Sequence, residues 1–187
     1  MTENLEIEFK TELSKQKYAE LLVKYANISE QFTQINYYFD DFAMKITKNK
    51  QTARIRHILD KNVYELTVKF PDKNGTLEKT EILSESQAKK FIKKGFKFKF
   101  DTIIFLSNKG KLKTKRVEFK YKTGTGFLDF STWGFLNLNK VYEFEFEAAS
   151  LKKGKAEFDD FLKENEIEYK KSQSKVSRIL KLNENKK

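Results

Sequence analysis

The stretch L-E-I-E-F-K, residues 5–10, alternates strictly, with Leu5, Ile7 and Phe9 on one parity and Glu6, Glu8 and Lys10 on the other. Side chains alternate across a β-strand with period two, so this reads as a strand with one apolar and one charged face. The charged face has two readings. It can be a solvated edge, the commoner case for a strand taken alone. It can also line a site, because two carboxylates about 7 Å apart along a strand can share a hard divalent cation while the neighbouring ammonium meets a phosphate. The other strands decide between the two.

Several of them repeat the pattern. In T-A-R-I-R-H-I-L, Arg54 and Arg56 share a face opposite Ala53 and Ile55. In V-Y-E-L-T-V-K-F, Glu65, Thr67 and Lys69 oppose Leu66, Val68 and Phe70. In K-V-Y-E-F-E-F-E-A, Glu143, Glu145 and Glu147 oppose Tyr142, Phe144 and Phe146. Like charges repeated along one face of a sheet repel one another, so the late glutamate run demands cations, either Arg and Lys or a metal. Carboxylates without cysteine suit Mg²⁺ or Mn²⁺ rather than zinc. If the apolar faces pack outward beneath helices, the mixed charges line a hydrated interior.

Around these strands the chain alternates short strands with single helices. Ser14 opens an amphipathic helix carrying Tyr18, Leu21, Leu22 and Tyr25 on one face. Q-I-N-Y-Y-F-D-D, residues 34–41, is strand-like, and D-K-N and D-K-N-G are the turns on either side of V-Y-E-L-T-V-K-F-P. T-L-E-K-T-E-I-L is a further strand, Ser84 and Gln87 have capping-box spacing, and Gly95 closes the helix that follows. Residues 96–112 show no clear period and read as strand or irregular. T-K-R-V-E-F-K-Y-K, T-G-F-L-D-F-S and K-V-Y-E-F-E-F-E-A are three alternating runs, and two helical segments end the chain before a frayed tail at 183–187. About eight strands in one domain of 187 residues, with no linker, indicate a mainly β, α+β fold. A closed antiparallel barrel or a sandwich satisfies that strand count.

Composition narrows the function classes. There is no cysteine, which excludes a disulfide framework, thiolate metal sites and a cysteine nucleophile. No apolar run is long enough to span a bilayer, and the start of the chain lacks the pattern of a signal peptide, so a cytoplasmic protein is expected. The net charge of +11 calls for an anionic partner. Only four of the 38 basic residues are arginine, namely Arg54, Arg56, Arg116 and Arg178, and three lie in candidate strands. Where lysine is the default, a retained arginine suggests a planar bidentate donor. The single histidine, His57, lacks metal-ligand partners and is read as incidental.

Taken in order, these motifs resemble the triphosphate tunnel metalloenzymes, the CYTH superfamily, and in particular its small bacterial CYTH-domain branch. E-I-E-F-K is similar to the family's E-x-E-x-K, and Q-I-N-Y-Y-F-D-D to its Q-x-N-x-Y-F-D strand. A-R-I-R, Y-E-L-T-V-K-F-P, L-K-T-K-R-V-E, F-L-D-F-S, V-Y-E-F-E-F-E-A and S-K-V-S-R resemble its later segments, so the likeness runs from Leu5 to Leu180.

The resemblance implies a closed eight-stranded antiparallel barrel forming a charged tunnel, with helices packed outside. It implies hydrolysis of a triphosphate (inorganic tripolyphosphate, a nucleoside triphosphate or thiamine triphosphate) with Mg²⁺ or Mn²⁺. Transferred position by position, Lys10, Arg54, Arg56, Lys69, Arg116 and Lys175 would contact phosphate. Glu6, Glu8, Glu145 and Glu147 would hold metal, with Glu143 as the alternative to Glu147. Asp129 would be a ligand or would orient the attacking water, and Lys10 and Arg56 are the other candidate catalytic residues. Glu78 and Glu81 lie on opposite parities, as do Lys115 and Arg116, so only one of each pair can face inward; arginine scarcity favours Arg116.

Two related readings and one generic one compete. A class IV-type adenylate cyclase would use the same tunnel, and a binding module would hold polyphosphate or a nucleotide without turnover. The full set of acids argues against pure anion binding. A nucleic-acid-binding barrel would interleave aromatics with basic residues on one face, whereas here Phe and Tyr mostly lie opposite the charges. The partner expected is therefore a small-molecule triphosphate, not a membrane or nucleic acid, for a monomer or homodimer.

Overall fold

The computed structural model describes residues 1–25 and 29–184, with side chains described as far as residue 180. Of the frayed tail expected at 183–187, residues 183–184 are instead helical, and 185–187 lie outside the described residues. The strands are β1 (Thr2–Leu13), β2 (Glu30–Asp40), β3 (Thr52–Ile58), β4 (Val63–Asp72), β5 (Gly75–Leu83), β6 (Phe96–Lys99), β7 (Ile103–Lys120), β8 (Gly124–Trp133) and β9 (Asn139–Ala148). The helices are α1 (Lys15–Tyr25), α2 (Lys45–Lys48), α3 (Glu85–Lys94), α4 (Leu151–Glu164) and α5 (Lys175–Glu184).

The strand order is β2-β3-β4-β5-β1-β9-β8-β7-β6, with β2 also paired to β7. That extra pairing closes eight strands into the expected antiparallel barrel and leaves β6 as a ninth strand beside β7. The expectation of about eight strands is thus one short. Residues 96–112, which had no legible period, resolve into β6 and the first half of β7. The period is hidden because β7 is apolar on both faces there: Ile103 and Phe105 are exposed while Leu106 is buried.

Two compact units divide the chain. The first comprises Met1–Leu5, Gln34–Lys113 and Ser174–Lys187. Its core gathers Ala53 and Ile55 of β3 and Leu66 and Val68 of β4, the apolar parity read from the sequence, with Phe39, Leu83, Phe96 and Leu106. Ile46 of α2 and Ala88 of α3 cover this face. Ser84 caps α3 by accepting from the Gln87 amide at 3.3 Å, and Gly95 ends the helix at φ +77°, a conformation glycine adopts without strain. The sequence reading missed α2, which has only four residues and no amphipathic period. Its cause is Asp40, whose buried carboxylate accepts from the amides of Asp41, Ile46 and Thr47 and from the Thr47 hydroxyl. The acid of the Y-F-D motif is therefore structural.

The second unit comprises Glu6–Thr33 and Thr114–Gln173. Phe144 and Phe146 of β9 and Leu128 of β8 are buried with Val117, Phe119, Tyr18, Leu21, Phe158, Phe161 and Leu162. Each fully buried Phe contributes about 1.5–3 kcal/mol of burial free energy. Phe144 stacks on Phe161 with centroids 3.8 Å apart, and Phe9 on Phe158 at 5.6 Å. Helix α4 approaches β9 closely at Gly154, where a Cβ would collide with that of Ala148. Ser14 caps α1 through the Lys17 amide at 3.0 Å. After α4 the chain runs extended along β1: the Glu12 amide donates to the Lys170 carbonyl at 3.0 Å, and the Lys170 amide donates to the Thr11 hydroxyl at 2.8 Å.

Candidate active site

In the second unit, register assembles the acids. Along β1–β9, Glu8 faces Glu147, Lys10 faces Glu145 and Glu12 faces Glu143. Along β8–β9, Asp129 faces Glu143 and Phe127 faces Glu145. The parity inferred from E-I-E-F-K and E-F-E-F-E thus becomes one continuous charged face, with Phe144 and Phe146 on the other side.

Arg116 of β7 holds the centre of that face. Its Nε donates to Asp129 Oδ1 at 2.7 Å, and its Nη2 donates to Asp129 Oδ2 at 2.7 Å and to Glu145 Oε2 at 2.6 Å. Arg116 is 5% exposed and Asp129 0%, so these charges are withdrawn from water together. Burial alone would lower the Arg116 pKa, but Asp129 and Glu145 outweigh it and hold it well above the ordinary value. Its guanidinium also stacks over Phe127, 4.1 Å from the ring centre. Lys115, the alternative, is exposed. Arg116 was expected to contact phosphate; here its guanidinium clamps two of the predicted acids. Nearby, burial and then the charge of Asp129 push the Tyr18 phenol up to about 12, so it remains neutral.

Glu143 is fully buried and accepts from the Ser172 hydroxyl, on the extended segment after α4. Lys10 pairs with Glu8 at 2.8 Å, and Glu6, Glu8 and Glu147 are half-buried. Among the described residues no three carboxylates or imidazoles are close enough to form a ready cation cage. The donor set still fits a hard ion. It offers only oxygen, and the facing of Glu8 and Glu147 is favourable only with positive charge nearby. Mg²⁺ is commonly held by one or two carboxylates, several waters and substrate phosphates rather than by an all-protein cage.

In the first unit, register assembles the bases. Arg54 faces Thr67, Arg56 faces Glu65, and Lys69 faces Thr52 and Glu78. Arg56 donates from Nε to Asn36 Oδ1 at 3.2 Å and lies 3.8 Å from Glu65. Glu78 pairs with Lys69 and lies 3.9 Å from Arg54, whereas Glu81 is exposed. Glu78 is therefore the acid beside the bases. Burial works to raise its carboxyl, but Arg54 and Lys69 prevail and hold it below the usual carboxylate range. Lys175 is half-buried at the start of α5. His57 stacks on Tyr64 at 4.0 Å, within hydrogen-bond distance of Asn62.

The Glu78 shift has a consequence with a definite sign. A carboxyl whose folded pKa is depressed adds stability above its unfolded pKa of about 4.3, and that stability is lost as pH falls through the folded value. Glu78→Gln is therefore expected to melt at a lower temperature than the parent at pH 7. The two should converge as pH falls below that folded value in a thermal melt series; a gap independent of pH would contradict the assignment.

Sequence reading missed Asn36 and Ser172. Asn36 shares the parity of Gln34 and faces Arg56 across β2–β3, so the signal was present in the Q-x-N motif. Ser172 lies in an irregular segment with no period to read.

The CYTH domain profile matches residues 4–180. The chain is 33% identical over 189 residues to the "Putative triphosphatase YjbK" of Bacillus subtilis, covering 96% of each protein. It is also similar to the crystal structure of a "putative adenylate cyclase" from Bacillus halodurans, at 29% identity and TM-score 0.84, covering 95% of this chain and 98% of that one. A Hippeastrum protein shares the fold at TM-score 0.76 and 20% identity, over 95% and 96% of the two chains. With the motifs in order and the profile spanning nearly its whole length, the chain belongs to the CYTH domain family.

Proposed function

We propose that this chain is a divalent-metal-dependent triphosphatase whose substrate is inorganic tripolyphosphate, a nucleoside triphosphate or thiamine triphosphate, bound in a charged tunnel. The observation that carries this reading is the gathering of charged side chains on single faces of the sheet. One unit presents Arg54, Arg56 and Lys69 on a single face, and the other presents Glu8, Glu143, Glu145, Glu147 and Asp129 on a single face. The relative in Bacillus subtilis named for triphosphatase activity supports it.

In this reading Arg54, Arg56, Lys69, Lys10 and Lys175 bind the phosphate oxygens, since fixed cations in a site shielded from water stabilise charge developing during transfer. Glu6 and Glu8, with Glu145 or Glu147, would hold Mg²⁺ or Mn²⁺. The ion would neutralise phosphate charge and make coordinated water more acidic. Asp129, its orientation fixed by Arg116, would orient the attacking water through its remaining lone pairs. Hydrolysis then adds water across the terminal anhydride and releases orthophosphate. Cytoplasmic triphosphate pools fit a chain without cysteine, and no helix among the described residues is long and apolar enough to cross a membrane.

The similar Bacillus halodurans structure bears a cyclase name, so the test must separate the two products. Purified protein is incubated with tripolyphosphate, ATP and thiamine triphosphate, each with Mg²⁺ or Mn²⁺, and with Glu6→Gln as control. Orthophosphate release by the parent, reduced at least about 100-fold in the variant, is the expected outcome. Cyclic AMP as the main product from ATP would replace hydrolysis by cyclisation.

A further inference from the structure

Within the second unit a groove of about 640 Å³ runs alongside β1, between that strand, α4 and the extended segment after α4. Two of its wall residues, Glu8 and Lys10, belong to the proposed metal and phosphate set. Lys155, Asp159, Lys171 and Ser172 are polar as well, but the other four lining residues have a different chemistry. Phe9, Phe158 and Leu162 form an apolar floor in which the two rings are stacked, and Tyr169 stands at the rim with 58% of its surface exposed. A phosphate chain gains nothing from an aromatic floor, because an anion is best solvated by water or by fixed cations. A planar heterocycle gains a great deal, since stacking on an aromatic side chain is tolerant of sequence and contributes substantially per base.

We infer that this groove receives the nucleoside of a nucleoside triphosphate whose phosphates meet Lys10. The inference rests on the triphosphate reading and sharpens it, selecting nucleoside triphosphates over inorganic tripolyphosphate. The volume falls within the range of small-molecule sites, roughly 300–1,000 Å³. Polar groups at the rim suit a sugar: the Ser172 hydroxyl, and Lys155 paired with Asp159. The segment bearing Tyr169 is held in place by backbone bonds. The Glu12 amide donates to the Lys170 carbonyl, and Lys170 Nζ lies 3.1 Å from Glu12. Tyr169 is thereby presented on a fixed wall instead of a loose loop.

The test compares the full-length parent with Tyr169→Ala and Tyr169→Phe by calorimetry. The probes are the β,γ-imido analogue of ATP and inorganic tripolyphosphate, each with Mg²⁺. Removing the ring is expected to weaken the ATP analogue about tenfold more than tripolyphosphate, while Tyr169→Phe, which keeps the ring, stays near the parent. Equal weakening of both probes by Tyr169→Ala, or no weakening of the analogue, overturns the inference. Because the analogue is not hydrolysed, this result stands whether or not the protein turns over any triphosphate. Failure of the hydrolase reading is seen separately in the phosphate-release screen.

Discussion

Arg116→Ala is expected to destabilise the protein by about 3–5 kcal/mol, with a fall in melting temperature on the order of 10 °C for a chain of this size. The reason is the burial of its partners. Asp129 is 0% exposed and Glu145 4%, and Arg116 donates three hydrogen bonds to them. Removing the guanidinium leaves two carboxylates withdrawn from water with their main counter-charge gone, and the cost is the uncompensated charge more than the lost bonds. Lysine cannot substitute, since a point ammonium cannot reproduce the bidentate fork on Asp129. The triple variant Arg116→Met, Asp129→Asn, Glu145→Gln should therefore be more stable than Arg116→Ala alone. Denaturant melts of the three proteins measure this directly. A loss below about 1 kcal/mol for Arg116→Ala, the range of an exposed pair, would contradict the buried network.

Arg56→Ala is expected to lower kcat/KM for triphosphate hydrolysis by about 10²–10³-fold, at a stability cost of about 1–3 kcal/mol, because buried Asn36 loses its Nε donor. Its ion pair with Glu65 is long, at 3.8 Å, and partly exposed, and such pairs contribute about 0–1 kcal/mol. Asn36, buried beneath it, accepts from Nε and fixes the direction of the guanidinium. An arginine so firmly aimed, with its guanidinium beside Lys69 and Arg54 on one face, is set up for an anionic ligand. Arg56→Lys should recover only part of the activity, because it loses both the bond to Asn36 and the planar fork. Steady-state kinetics beside a thermal melt checks both halves. A large drop in melting temperature with unchanged kcat/KM would make Arg56 structural.

Much of the fold was legible because the strands obey period two. Arg54 and Arg56, Glu65 and Lys69, and Glu143 to Glu147 fall on the faces that parity assigns, and register then places Arg56 opposite Glu65 and Lys10 opposite Glu145. What parity does not carry is the identity of cross-strand partners. Nothing local in T-K-R-V-E indicates that Arg116 meets Asp129, thirteen residues away, and Glu145, twenty-nine away. The choice of Glu78 over Glu81 likewise depends on the β4–β5 register, which brings Glu78 opposite Lys69. Helix α2 was hidden for another reason: it is held by the Asp40 side chain, not by an apolar stripe. The first half of β7 was hidden because exposed Ile103 and Phe105 erase the alternation.

The face of carboxylates and the set of bases are proposed to hydrolyse a triphosphate with the help of a divalent ion. The most direct measurement is orthophosphate release from tripolyphosphate and ATP by the purified chain, first with Mg²⁺ or Mn²⁺, then after chelation with EDTA, then after the metal is restored. Release that stops on chelation, returns with the metal and is lost in Glu6→Gln is the predicted result. Release that persists undiminished in EDTA, or none with any triphosphate and either metal, would contradict it.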